Sequence, residues 1–165
     1  KNFKKDFSTV LAEIELLFEQ RTFAAVGEIG IDLYWDKTFL SQQQKAFSYQ
    51  INWAKKHRLP IVIHCRDAFE EVFEVLETHS GDELFGIFHC FTGTEVYAQR
   101  AIDLNFKLGI GGVVTFKNGK TATYNHDKVF SIMKDSLENM ACWAKYKSYT
   151  ASNNLPMSVR DKDIA

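Results

Sequence analysis

Pro60-Ile61-Val62-Ile63-His64-Cys65-Arg66-Asp67-Ala68 is the stretch whose reading decides the fold. Proline supplies no N–H to a ladder, so it is tolerated at the first residue of a strand. The unbroken Ile-Val-Ile run behind it is the pattern of a strand covered on both faces, as in a parallel sheet. A helix is expected to begin near Asp67, with Glu70 three residues on and Phe69, Val72, Phe73 and Leu76 as its apolar stripe, until Ser80-Gly81-Asp82 breaks it. The unit is a strand followed by a helix.

The same unit recurs on both sides. Upstream, Phe23-Ala24-Ala25-Val26-Gly27-Glu28 reads as a strand, and a helix is predicted from Ser41, where Ser41-x-x-Gln44 matches a capping box. That helix turns Phe47, Ile51 and Ala54 inward and stops before Leu59-Pro60. Downstream, Phe85-Gly86-Ile87-Phe88-His89 and Phe106-Lys107-Leu108-Gly109-Ile110 read as strands flanking a helix from about Thr94 to Leu104. A further helix precedes the first strand, with Val10, Leu11, Ile14, Leu17 and Phe18 on one stripe. Alternating strands and helices with short connections imply a parallel sheet with right-handed crossovers, an α/β class.

The composition, with 45% hydrophobic and 25% charged residues in 165, is that of an ordinary globular chain and excludes a disordered or collagen-like one. No apolar run approaches the roughly 18 residues of a membrane span, and no apolar segment of a signal peptide follows Lys1-Asn2-Phe3-Lys4-Lys5, so a cytoplasmic location is expected. Cys65, Cys90 and Cys142 are odd in number and far apart, which argues against a disulfide framework. A net charge of −1 provides no general field for nucleic acid, so any such substrate must be held locally. The initial lysine suggests a processed, excised or incomplete product.

The polar residues that close the expected strands carry the chemistry. Glu28, His64 and His89 do so in three successive units, and catalytic groups of α/β barrels sit at the carboxyl ends of strands. One such histidine alone would be read as a hydrogen-bonded structural residue. Three in phase can converge on one mouth, and a carboxylate with two imidazoles suits a borderline divalent cation such as Zn²⁺ or Mn²⁺. Strand alternation should turn Cys65 and Cys90 away from the neighbouring histidines into packing roles, and no C-x-x-C pair offers a structural zinc site. Alternation also places Arg66 on the face of His64, and Gly30 and Asp32 on that of Glu28. Arg66 suits a phosphate oxygen or carboxylate, and a salt bridge to Asp67 or Glu70 is an equal alternative. His57 and His79, at helix ends, read as solvated or dipole-linked. Gly109-Ile110-Gly111-Gly112 would clear side chains from the mouth, or merely form a turn.

These residues resemble the TatD family of metal-dependent deoxyribonucleases, within the amidohydrolase-like metal hydrolases. Val26-Gly27-Glu28-Ile29-Gly30-Ile31-Asp32-Leu33-Tyr34-Trp35 is similar to the family's Glu-bearing strand, Pro60 to Ala68 to its next, and His89-Cys90-Phe91-Thr92-Gly93 to the one after. Phe106 to Asn118 is similar to the segment that follows, so the resemblance runs from about Phe7 to Lys120. It implies a partial TIM (β/α)8 barrel of about four βα units, the fourth to seventh strands of eight. It further implies Glu28, His64 and His89 as ligands of two divalent ions (Mg²⁺, Mn²⁺ or Zn²⁺), Arg66 against phosphate, and DNA as the substrate of exonuclease-type phosphodiester hydrolysis. Amide or ester hydrolysis, including deacylation of aminoacyl-tRNA, suits the same barrel and is the alternative.

The family's opening His-x-His pair and its final acidic motif do not occur in this sequence. A full barrel takes about 250 residues. The expectation is an internal fragment, with residues 1–120 as the partial barrel and 121–165 as a divergent tail, for which a foreign or frame-shifted origin is one explanation. In that tail Asp127 to Lys147 is expected to be helical, with Val129, Met133, Leu137, Met140 and Ala144 on one face, and the rest disordered; His126 reads as solvated rather than as a substitute ligand. Open sheet edges would favour self-association, and an inactive fragment that only self-associates is the non-enzymatic alternative.

Overall fold

The computed structural model describes residues 7–109 and 111. The expected helix over 127–147, His126, Cys142, Ile110 and Gly112 lie outside the described residues.

The elements run α1 (Phe7–Gln20), β1 (Val26–Asp32), α2 (Leu40–His57), β2 (Ile61–Arg66), α3 (Phe69–Thr78), β3 (Gly86–Phe88), α4 (Glu95–Asp103) and β4 (Phe106–Leu108). All three pairings are parallel, in the order β1-β2-β3-β4. Doubly wound sheets reverse their strand order at a switch point, whereas a barrel adds each new strand to the same edge. This sheet, with no reversal, is an arc of four parallel strands, the first three each followed by a helix.

Alternate strand residues make the core. Ile29, Ile31, Ile61, Ile63, Phe88, Phe106 and Leu108 are buried with Phe47, Ile51, Val72, Phe73, Leu76, Ala98 and Ala101 of the helices. Phe88 sits within 6 Å of the rings of Phe73, Phe91 and Phe106, tilted or edge-on, arrangements that favour aromatic pairs. The other strand face, with Glu28, Gly30, Asp32, Val62, His64 and Ile87, is not buried among the described residues. That is the inner wall of the arc.

Several local expectations are corrected. The first strand is Val26–Asp32 rather than Phe23–Glu28, because the ladder begins where Val26 N–H donates to Pro60 O, at 2.9 Å, while Phe23 packs its ring 4.9 Å from Phe18. The capping box at Ser41 is not formed: α2 opens after Phe39 without a side-chain cap, and Gln44 reaches Glu74 instead. Nor does Asp67 cap α3, which begins at Phe69 after Ala68. The stripe of α1 is only partly used, since Leu11 packs on Ala46 and Trp53 of α2 but Val10 and Ile14 face water. No helix of the described residues is long and apolar enough to cross a membrane.

Candidate functional site

The rim of the arc is built from β1 and β2 outward. The β1–β2 register runs Gly27↔Val62, then Ile29↔Ile63, so Glu28 occupies an irregularity with no partner of its own. Such an extra residue re-aims a side chain. Glu28 is therefore the third residue of a seven-residue strand, and His64 is followed by two more residues of β2. His89 alone follows its strand directly, its N–H donating to Ile63 O at 2.8 Å, which ties the turn to β2.

The three side chains do not close on one point. His89 Nε2 lies 3.6 Å from Glu28 Oε1, a pairing that reaches over β2. His64 instead places Nε2 3.0 Å from Oδ2 of Asp32. Asp32 is fixed from several directions: its Oδ1 accepts from Tyr34 N–H at 3.0 Å, and its own N–H and C=O bond to the amide of Gln43 at 2.9 and 3.1 Å. Gln43 is the buried polar residue among those described, and its amide is bonded on both sides by the backbone N–H and C=O of one residue of β1, Asp32. Partial burial raises the Asp32 pKa, but the hydrogen bonds from His64 and Tyr34 N–H, with the charges of His64 and Arg66, outweigh it and hold the carboxyl below its ordinary value.

Alternation identifies the face of Asp32 but not its grip on His64, which depends on the Gly30↔His64 and Asp32↔Arg66 register. Gln43 leaves no mark in the sequence beyond a polar residue one turn ahead of Phe47.

Arg66 joins neither Asp67 nor Glu70. Its Cζ lies 3.6 Å from the centroid of the Tyr34 ring and 6.0 Å from that of Trp35, while Glu70 pairs with Arg100 at 2.9 Å. Cys90 departs from the expected strand geometry: at φ 47° it lies in the turn, and its Sγ comes within 3.3 Å of His89 Nε2. Cys65 does pack against the core, and burial pushes its thiol up to about 12. Neither helix-end histidine is simply solvated, since the His57 ring stacks on Phe18 at 4.7 Å and His79 Nε2 lies 2.6 Å from Ser48 Oγ. Gly109 extends the β3–β4 pairing, donating to Phe88 O and accepting from Phe91 N–H, both at 2.8 Å.

Glu28 and His89 fit a divalent cation by donor type, as an oxygen and a nitrogen already facing each other. They fall short in number, because no group of three or more His, Cys, Asp or Glu among the described residues is placed to hold a metal ion. His64, turned to Asp32, presents its Nδ1 as the remaining donor.

A family model described as TatD related DNase matches residues 2–136, past the Lys120 at which the motif resemblance ends. The chain is 44% identical over 110 residues, 67% of its length, to an uncharacterized metal-dependent hydrolase, YabD of Bacillus subtilis, and covers 43% of that protein. It is 34% identical over 106 residues, 64% of its length, to another of the same description, BU355 of Buchnera aphidicola, and covers 40% of it. The chain thus spans about two fifths of the length of these curated relatives. Its fold is shared with the crystal structure of YjjV, a TatD homolog of Escherichia coli, at a TM-score of 0.62 and 24% identity, over 78% of this chain and 62% of that one.

Proposed function

The chain belongs to the family of TatD-related DNases, and on that premise we propose that it carries part of the centre of a metal-dependent hydrolase acting on phosphodiester bonds of DNA from an end. The observation that supports this reading is the approach of His89 Nε2 to within 3.6 Å of Glu28 Oε1 across β2. Glu28 and His89, with His64, would hold divalent cations together with donors from outside the described residues. When bound, such ions polarise a phosphate ester and favour attack on phosphorus.

The chain's own residues divide the remaining work. Asp32 holds His64 through Nε2, and with the imidazole proton on Nε2 facing the carboxylate, Nδ1 is left as the nitrogen able to ligate. Arg66 offers its guanidinium edge to a phosphate oxygen while its face rests on Tyr34. A cytoplasmic location belongs to the same proposal.

The test pairs metal stoichiometry with substrate choice. The chain, loaded with Mn²⁺ or Zn²⁺ and separated by size, is expected to retain about one or more ions by elemental mass spectrometry and to lose them on Glu28→Ala. It is then offered end-labelled single-stranded DNA beside an aminoacyl ester. Metal-dependent release of nucleotides supports the reading, and cleavage of the ester alone moves it to amide or ester hydrolysis. Absence of bound metal overturns the site.

A further inference from the structure

Outside the Glu28–His89 pair, the rim carries an aromatic surface. The β1–α2 connection presents Tyr34, 49% exposed, and Trp35, 80% exposed, with ring centroids 4.6 Å apart and planes at 87°. Tryptophan is a highly buried residue on average, so an indole left four fifths in water is the informative exception. The connection is held at both ends by aspartates, with Tyr34 N–H donating to Asp32 Oδ1 at 3.0 Å and Thr38 N–H to Asp36 Oδ1 at 2.8 Å. Trp35 is therefore presented by a loop whose backbone is already organised, which lowers the ordering cost of binding.

Arg66 completes the surface. It is the last residue of β2 and its carbonyl accepts from Leu33 N–H at 2.9 Å, which brings it beside the start of the loop. Its guanidinium lies over the Tyr34 ring and, among the described residues, in no ion pair. A cation stacked on one ring beside a second, open ring is the pairing that single-stranded nucleic acid engages, with bases on the π-faces and the backbone on the charge. An apolar protein segment would leave the guanidinium without a counter-charge. The surface adjoins the candidate site through Asp32, which bonds both Tyr34 N–H and His64.

We propose that Trp35, Tyr34 and Arg66 form a stacking subsite for a nucleobase of single-stranded DNA, with the adjoining phosphate on Arg66. The proposal rests on the DNA reading above and deepens it by naming how the strand is gripped. It explains how a chain of net charge −1 holds a polyanion, through one local cation and two rings rather than a general field.

The test measures binding in EDTA, apart from hydrolysis. An oligothymidylate and an abasic phosphodiester strand of equal length are titrated against the chain, Trp35→Ala, Trp35→Phe and Arg66→Gln. The base-bearing strand is expected to bind about tenfold more tightly than the abasic one, a gap that Trp35→Ala erases and Trp35→Phe partly keeps. Arg66→Gln should weaken both strands alike. Equal affinity for the two strands, no binding of either, or a gap that survives Trp35→Ala overturns the proposal. Hydrolysis lost on Glu28→Ala without any base-dependent gap would leave the hydrolase reading standing and the subsite refuted. A gap without hydrolysis would do the reverse.

Discussion

Nε2 of His64 and Oδ2 of Asp32 lie 3.0 Å apart across the β1–β2 pairing, and the carboxylate is itself anchored by the Tyr34 N–H. Both side chains are about one third exposed, so the pair adds less than about 1 kcal/mol to folding. Its value lies in orientation, since carboxylates behind ligating histidines typically set metal affinity by about 10–100-fold. Asp32→Ala should accordingly leave the urea midpoint almost unchanged while weakening Zn²⁺ binding by about that factor in calorimetric titration. Undiminished affinity would show that His64 is not oriented by Asp32.

Gly30 sits opposite His64 in the same register, at φ +135°, a backbone region that L side chains avoid. A Cβ there would collide with the backbone carbonyl oxygen of His64. Gly81 has a similar φ of +145° but nothing within 4 Å of an added Cβ. Gly30→Ala is expected to cost about 3 kcal/mol or more, combining strain with a collision that cannot relax, and Gly81→Ala only about 1 kcal/mol. Denaturant unfolding of the two variants separates strain from collision; equal losses would contradict the observed register.

The unbroken Ile61-Val62-Ile63 run and the spacing of the helix stripes were enough to read the parallel sheet, because burial is written in residue type, although only Ile61 and Ile63 of that run are fully buried. Strand ends were less legible. Val26 starts β1 because Pro60 O stands opposite it, a long-range pairing that no local pattern encodes. The caps at Ser41 and Asp67 failed for a related reason: tertiary packing of Leu40 and Phe69 against the core set where those helices begin. At the rim, the residue types of Glu28, His64 and His89 could be read, but Gln43 and Asp32 act through register and distance, and Cys90 escapes alternation by leaving the strand.

Cys65 and its neighbours bear on reactivity. Burial dominates its thiol, and the negative charges of Glu71, Asp67 and Asp32 add to the rise, against a hydrogen bond from the Ala68 N–H, leaving it at about 12. At pH 8 the thiolate fraction is then on the order of 1 in 10,000. Iodoacetamide applied to the folded chain at pH 8 should leave Cys65 unmodified by peptide mass mapping, whereas the same exposure in urea should alkylate it fully. Rapid alkylation in the folded state would mean that β2 is not covered as described.

The contact between α2 and α3 carries a pH dependence of its own. His79 Nε2 lies 2.6 Å from Ser48 Oγ, and Lys55 Nζ donates to the His79 carbonyl at 3.0 Å. Burial and then the Lys55 charge both lower the imidazole pKa from its ordinary 6.5. The unfolded chain therefore takes up the proton first, so this contribution to stability is complete above about pH 6.5 and is lost as pH falls from there through the folded value. Most carboxylates titrate near pH 4 and stay ionised across that interval, and the other histidines are common to any variant at position 79. His79→Gln, which keeps an amide beside Ser48 but cannot titrate, should show a smaller fall in urea midpoint between pH 7.5 and pH 5.5 than the parent chain. Identical falls in the two proteins would place the pH sensitivity elsewhere.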